Sequence, residues 1–257
     1  PDEYAYLLSA ELFSRGEFSS PSPQPPGFFD TQSFVKNGKY FGKYPPGWPV
    51  LLSLGIRSHA EDLANPLIGL LSLFLIFFLS RHLFPPIVAN TAMALSIACP
   101  FFIFNSACYL SHASSLLFIT LAFYFTLTLE SGPVAFIGLG ASMGIAFMIR
   151  PFTALLVLFP LMTFLLFRAF KSREKSLITN FLLFSTPSLI FFLMIFLLYN
   201  LVQTGDAFLQ PFQIYDPNDH LGFFHNTWRE YLSRFDQNIL ARGFEWIVWT
   251  SGLPMLI

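Results

Sequence analysis

The sequence predicts an all-α protein that crosses a membrane several times. Hydrophobic residues make up 54% of its 257 residues and charged residues 11%, whereas soluble domains carry roughly 25% charged residues. Six apolar runs reach the roughly 17 to 25 residues that a helix needs to span a bilayer. These runs lie at 63–79, 83–104, 111–129, 133–149, 151–167 and 177–202.

Positive charge predicts the orientation of these spans. A short loop between the last two spans carries four cations: Arg168, Lys171, Arg173 and Lys175. Loops of this kind stay in the cytoplasm. Counting crossings from this loop places Arg150 and residues 104–112 outside, together with most of the acidic residues, so we expect the working surface to face away from the cytoplasm.

The same count divides the chain into four expected regions. Residues 1–62 form an external loop with interfacial helices, and residues 63–202 form a transmembrane core of about six helices. Residues 203–242 form another external loop, and residues 243–257 begin a further transmembrane helix. Because the chain opens without methionine and stops inside an apolar run, we expect a fragment, with one transmembrane helix upstream and the last one truncated.

The first external loop contains two expected surface helices. Residues 2–15 place apolar side chains at near-helical spacing, namely Tyr4, Ala5, Leu7, Leu8, Leu12 and Phe13. The apolar segment Val50–Ile56 follows "KYPPGWP" and is too short to cross a bilayer. We expect it to lie at the interface. The proline-rich stretch Ser19–Asp30 between them predicts no regular structure.

Adjacent carboxylates stand at the start of the first helix, at Asp2 and Glu3. They favour a helix N-terminus through its partial positive charge. They could also supply a general base or a metal ligand for a hydroxyl acceptor near the membrane. From these residues alone both readings stay open.

Two cations are candidates for binding an anion at the external face. Lys43 and Tyr44 precede two prolines that restrict the backbone, although lysines also commonly snorkel at interfaces. Arg150 stands between two apolar spans with a proline after it. A charge there is costly and usually has a partner or a function.

Other polar residues carry weaker signals. His112 begins a span on the same external side, where a histidine is most often structural. Asp216, Asp219 and His220 could suggest a metal, but their sequence is first of all typical of a turn. Cys99 and Cys108 match no metal-ligand spacing, and no nucleic-acid signature is present.

The order of several motifs resembles that of a known family. These motifs are "PDEYAYLLSAELFSRGEF", "GKYPPGWPVLLSLG", "RHLF", "NSACYLSHASSLLF", "FMIRPFTALLVLFPL" and "YNLVQTGDAF". The chain resembles the integral-membrane glycosyltransferases of the GT-C superfamily, in the bacterial branch related to protein mannosyltransferases and aminoarabinose transferases. The similarity covers most of residues 1–206.

The resemblance implies inverting transfer of a sugar from a polyprenyl phosphate to a lipid, glycan or protein acceptor, outside the bacterial inner membrane. Asp2 matches the family's presumed catalytic base, with Glu3 beside it, and Lys43 with Tyr44 and Arg150 match residues near the donor phosphate. Several members carry a second acid in the next external loop, where residues 104–112 have none. His112 could take part of that role, and a divalent metal stays possible.

Two other functions remain open. A transporter or flippase for a lipid-linked or anionic substrate could also use Arg150 and the external cations. Transporters usually place ionisable groups near the membrane midplane, whereas here they are concentrated on one face. A non-catalytic membrane subunit would leave Asp2, Lys43 and Arg150 without a common site.

Overall fold

The computed structural model describes residues 2–23, 34–36, 38–172 and 175–215. The first 57 residues contain α1 (Asp2–Ser14), β1 (Ser20–Pro21), β2 (Phe34–Lys36), β3 (Lys39–Gly42) and α2 (Gly47–Arg57). The helical bundle follows, with α3 (Glu61–Leu83), α4 (Pro86–Ala98), α5 (Pro100–Ala107), α6 (His112–Leu127), α7 (Pro133–Ile149), α8 (Pro151–Ser172), α9 (Lys175–Asn180), α10 (Thr186–Thr204) and α11 (Pro211–Tyr215). A 3₁₀ turn at Leu129–Ser131 precedes α7, and a π-helical turn at Phe181–Ser185 precedes α10.

The helices account for all six predicted apolar runs. Within the described ranges, three segments are long and apolar enough to cross a membrane: Glu61–Leu83, Pro151–Lys171 and Ser176–Thr204. Helices α4 and α5 bend by 58° and make a fourth span if they cross as one. Helices α6 and α7 are apolar but shorter, at 16 and 17 residues. The helical membrane fold is therefore confirmed, while the crossing of the bilayer by all six segments stays a prediction.

Proline residues divide this apolar sequence into separate helices. Pro86, Pro100, Pro133 and Pro151 each stand at the first position of a helix, where the missing N–H costs no hydrogen bond. Helix α10 ends at Thr204, and the next residue, Gly205, has a φ of 85° that closes the last turn in the left-handed conformation. The boundaries of the helices thus follow from local backbone chemistry.

Helix α7 lies at the centre of the bundle and packs against α6, α8 and α10. Its buried side chains Phe136, Leu139 and Met143 join a core with Leu161 and Leu165 of α8. A Cβ atom at Gly140 would lie 2.1 Å from the carbonyl oxygen of Ser185. The absence of a side chain at Gly140 thus allows α7 to pack directly against the turn that contains Ser185.

Helix α1 packs against α2 and β3 through a face that differs from the predicted stripe. Ala5, Tyr6 and Ala10 are buried, whereas Tyr4 is 69% exposed. The face buried inside the fold shares Ala5 with the predicted stripe and adds Tyr6 and Ala10, while Tyr4 stays on the exposed side of the helix. Helix α2 has 11 residues, so the half-length helix predicted from Val50–Ile56 is confirmed.

A small antiparallel sheet has the order β1-β3-β2. Ser20 pairs with Tyr40 and Pro21 with Lys39. The expectation that Ser19–Asp30 lacks regular structure was therefore wrong at Ser20 and Pro21. Proline is tolerated there because β1 is an edge strand. One side of an edge strand has no neighbouring strand to accept a backbone hydrogen bond, so the missing N–H costs none.

Candidate active site

A cavity of about 380 Å³ lies where several separate segments meet at one end of the helical bundle. These segments are the start of α1, residues 43–45, residues 110–112, residues 149–153, and residues 210 and 212. The cavity is lined by Asp2, Tyr6, Lys43, Tyr44, Pro45, Leu110, Ser111, His112, Ile149, Arg150, Pro151, Phe152, Thr153, Gln210 and Phe212. The structure therefore brings five of the six predicted site residues together, namely Asp2, Lys43, Tyr44, His112 and Arg150.

Arg150 is presented to the cavity by the proline that follows it. A residue before proline is driven out of the helical conformation, and Arg150 has φ −144° and ψ 87°. Helix α7 therefore ends at Ile149 and α8 begins at Pro151. The break leaves Arg150 as a half-buried link between the two helices, at the cavity wall.

Lys43 is held by aromatic rings at the end of β3. Its ammonium nitrogen lies 5.3 Å from the ring centroid of Tyr44 and 4.7 Å from that of Tyr215, which are cation–π distances. Among the described residues, neither Lys43 nor Arg150 has a carboxylate within 4 Å. Both charges can therefore be used by an anionic ligand.

Tyr6 links the start of the chain to two walls of the cavity. Its ring stacks on that of Tyr44, with centroids 4.5 Å apart and planes 15° apart. Its hydroxyl forms a 3.0 Å hydrogen bond with the hydroxyl of Ser111. Burial raises the pKa of Tyr6 to about 12, an effect opposed by the Ser111 bond and by Arg150 and reinforced by Asp2. The phenol therefore stays neutral throughout the physiological range.

The structure separates the two adjacent carboxylates. Asp2 is exposed and lines the cavity, whereas Glu3 is absent from the lining. The pKa of the Cys108 thiol is raised mainly by burial and further by the charge and hydrogen bond of Glu3. Consecutive helical side chains point about 100° apart, so Asp2 and Glu3 face different surroundings.

His112 lines the cavity at the first position of α6. Its Nδ1 is buried and has no hydrogen-bond partner in the described part of the chain. Ser111, which holds Tyr6, immediately precedes it. The histidine therefore has an unused hydrogen-bonding atom beside the two predicted phosphate cations.

Sequence reasoning missed several cavity residues. Tyr6 and Ser111 were hidden because each gains its role from a contact 105 positions away in the chain. No local signal marked Gln210 and Phe212 of the lining, or Tyr215 beside Lys43, because they lie beyond the segment whose motifs carry the resemblance. Thr153 directly follows "RPF", and its position three residues after Arg150 was the sequence signal that could have indicated a place in the site.

No group of three or more His, Cys, Asp or Glu side chains forms a metal-ligand cluster within the residues that the structure describes. The turn residues Asp216, Asp219 and His220 lie outside the described residues, as do Arg173 of the cationic loop and the expected last helix at 243–257.

A family model and a solved structure match this chain. Residues 51–203 match the family model described as dolichyl-phosphate-mannose-protein mannosyltransferase, and this range includes His112 and Arg150. No curated protein matches the chain. The fold is similar to the crystal structure of ArnT from Cupriavidus metallidurans in the apo state, with a TM-score of 0.54 and 17% sequence identity. The similarity covers 89% of this chain and 40% of that one, so the chain spans about two fifths of the length of that protein.

Proposed function

Because the chain belongs to the dolichyl-phosphate-mannose-protein mannosyltransferase family, we propose that it helps transfer a sugar from a polyprenyl-phosphate donor to an acceptor hydroxyl. The acceptor is a lipid, glycan or protein on the external face of the bacterial inner membrane. One observation carries the proposal: a single cavity holds two cations, Lys43 and Arg150, beside the carboxylate of Asp2. These charges match an anionic leaving group and a hydroxyl nucleophile.

The donor phosphate binds between Lys43 and Arg150. Arginine offers a planar fork of N–H donors that suits phosphate oxygens, and lysine supplies a compact point charge. Tyr44 holds the Lys43 ammonium over its ring, which restricts the lysine without neutralising it. The polyprenyl chain extends from the phosphate toward the membrane.

Asp2 is the general base of the transfer. Its carboxylate takes the proton from the acceptor hydroxyl while that oxygen forms a bond to the anomeric carbon. The bond between this carbon and the phosphate oxygen breaks, and the electron pair leaves with the polyprenyl phosphate. Attack opposite to the leaving phosphate inverts the anomeric configuration. The electrostatic field of Lys43 and Arg150 stabilises the charge that develops on the phosphate.

A transporter of a lipid-linked anion fits the cavity less well. Transport sites place ionisable groups near the bilayer midplane, whereas Lys43, Arg150 and Asp2 stand at helix ends or in the loop that precedes α2. An exposed carboxylate on the same cavity has a clear use in proton transfer. The arrangement therefore favours an enzyme.

The experiment that tests this function uses the full-length protein in detergent or vesicles. Every donor of this class releases polyprenyl phosphate, so undecaprenyl phosphate is a suitable binding probe whatever the sugar. We expect saturable binding, and acceptor-dependent release of polyprenyl phosphate from polyprenyl-phosphate mannose or a related donor. A wild-type protein that does not bind undecaprenyl phosphate would contradict the proposed function.

A further inference from the structure

The segment Cys108–Ser111, which joins α5 to α6, has no helix or strand of its own. It nevertheless sets the position of His112 and presents Leu110 and Ser111 to the cavity. A segment without regular structure needs other groups to satisfy its backbone. Side chains from α2 and α3 supply such groups.

Asn65 of α3 makes the central contact. It is 2% exposed, and its amide nitrogen donates to the carbonyl oxygen of Asn105 at 2.9 Å and to that of Leu110 at 3.1 Å. The carbonyl oxygen of Cys108 is a third close acceptor. Asn105 lies in the last turn of α5, where carbonyl groups lack partners within their helix. One side chain thus caps α5 and holds the segment that follows.

Tyr109 is fixed by two other residues. The indole nitrogen of Trp48, in α2, donates to the Tyr109 carbonyl oxygen at 2.7 Å. The Tyr109 hydroxyl donates to the carboxylate of Asp62, which lies one turn before Asn65 on α3. Trp48 is fully buried and lies five residues after Lys43. The same contacts therefore connect the Lys43 segment with the His112 segment.

We propose that Asn65 is a positioning residue, which holds Cys108–Ser111 so that Ser111 and His112 face the cavity. This inference rests on the proposed function. Without the Asn65 amide, the carbonyl oxygens of Cys108 and Leu110 lose this donor, and the segment can move away from Tyr6. Such movement breaks the bond between Ser111 and Tyr6, which anchors the helix α1 that carries Asp2, but it leaves Lys43 and Arg150 in place. Turnover then falls while binding of the donor phosphate is kept.

The first test measures how well the segment is held, independently of activity. In a Cys99→Ala background, Cys108 is the remaining cysteine. Because the Cys108 thiol is partly buried and its pKa is raised by burial, we expect slow alkylation by N-ethylmaleimide. Asn65→Leu keeps the side-chain size but removes the donor. We expect it to speed alkylation by at least about tenfold.

Ser72→Ala is the matched control. Ser72 lies seven residues further along α3, is fully buried, and donates to the Ile68 carbonyl oxygen in its own helix. Its replacement also removes a buried polar group, but we expect Cys108 alkylation to stay within about twofold. An unchanged alkylation rate in Asn65→Leu would overturn the proposal. If Asn65→Leu does not fold, Asn65→Ser, whose hydroxyl is too short to reach the three carbonyls, is judged by the same criterion.

The second test separates turnover from binding. In Asn65→Leu we expect the dissociation constant for undecaprenyl phosphate to stay within about threefold, while sugar transfer falls by about tenfold or more. Equal loss of both, or no loss of either, would overturn the positioning role. A wild-type protein that does not bind undecaprenyl phosphate contradicts the proposed function instead, and the alkylation rates still decide whether Asn65 holds the segment.

Discussion

Gly47, the first residue of α2, lies against the backbone of Ile149, the last residue of α7. A Cβ atom at Gly47 would be 2.7 Å from the Ile149 nitrogen. Gly47 follows Lys43 by four residues, and Ile149 directly precedes Arg150. This contact therefore sets how closely the two cationic segments approach each other.

The first prediction concerns this contact. Gly47→Ala places a methyl group against backbone that cannot move aside as a flexible side chain could. Overpacking of this kind costs about 1 to 3 kcal/mol, and it should push Lys43 away from Arg150. We expect a lower melting temperature and weaker binding of undecaprenyl phosphate. Leu54 lies in the same helix and its side chain is 59% exposed, so Leu54→Ala should leave binding unchanged. Equal effects of the two variants on binding would contradict the role of the Gly47 contact.

The second prediction concerns the phosphate cations. Charge-assisted hydrogen bonds contribute about 1.5 to 3 kcal/mol each, and 1.4 kcal/mol corresponds to a tenfold change in affinity. Lys43→Ala or Arg150→Ala should therefore weaken undecaprenyl phosphate binding by about tenfold or more. Arg15→Ala is the control, because Arg15 is an exposed cation at the other end of α1, paired with Glu11. Wild-type affinity in both site variants would reject the assignment.

The third prediction concerns the catalytic base. Asp2→Asn keeps the shape of the side chain but cannot accept a proton, and general-base catalysis contributes about 10² to 10⁴ in rate. Sugar transfer should fall by that factor while undecaprenyl phosphate still binds. Glu3→Gln is the matched control, and it should have a much smaller effect because Glu3 does not line the cavity. A fully active Asp2→Asn enzyme would move the base elsewhere, with His112 the next residue to replace.

The fourth prediction concerns the stability that Tyr6 provides. Tyr6→Phe keeps the stacking on Tyr44 but removes the hydrogen bond to Ser111, at a cost of about 1 kcal/mol. Burial raises the pKa of Tyr6 from 10.0 to about 12 in the folded protein. The contribution of the Tyr6 side chain to folding stability is therefore complete below pH 10 and is lost as pH rises through 12. The stability difference between wild type and Tyr6→Phe should therefore shrink over this interval. Unfolding measurements at a series of pH values would test this, and a constant difference would contradict it.

The fifth prediction concerns the orientation in the membrane. After replacement of Cys99 and Cys108, cysteines at Arg57 and Asp206 should react with an impermeant reagent in intact cells, and a cysteine at Lys171 should not. All three positions are exposed in the structure. The expected external position of His225 can be tested in the same way, although it lies outside the described residues. Labelling at Lys171 but not at Asp206 would reverse the orientation.

Local sequence patterns predicted the helices well because their causes are local. Apolar runs of sufficient length specify the bundle, and prolines such as Pro133 and Pro151 specify where helices begin. Predictions failed where long-range pairing decided the outcome. Pro21 joins a strand because Lys39 is available to pair with it, and Tyr6 is buried where its hydroxyl can form a hydrogen bond with the hydroxyl of Ser111.

The candidate site was predictable only where a local sequence feature marked a residue. Arg150 stood out because a charge between two apolar spans is costly, and Lys43 because the two prolines that follow Tyr44 restrict the backbone there. The catalytic roles of Asp2 and His112 depended on the family resemblance, because the residues alone left each with a structural alternative. Gln210 and Tyr215 could not be predicted as site residues. Nothing in the neighbouring sequence indicates that Gln210 lines the cavity or that the Tyr215 ring of α11 packs against the Lys43 ammonium group.

The sequence by itself determined that the chain forms apolar helices, where prolines interrupt them, and which charges are unusual enough to need an explanation. These properties depend on hydrophobicity and backbone conformation over a few residues. Only the tertiary structure decided that Asp2, Lys43, His112 and Arg150 share one cavity and that Glu3 faces elsewhere. That outcome depends on contacts between distant segments, such as Gly47 with Ile149 and Asn65 with Leu110, whose geometry is set by packing of the whole bundle.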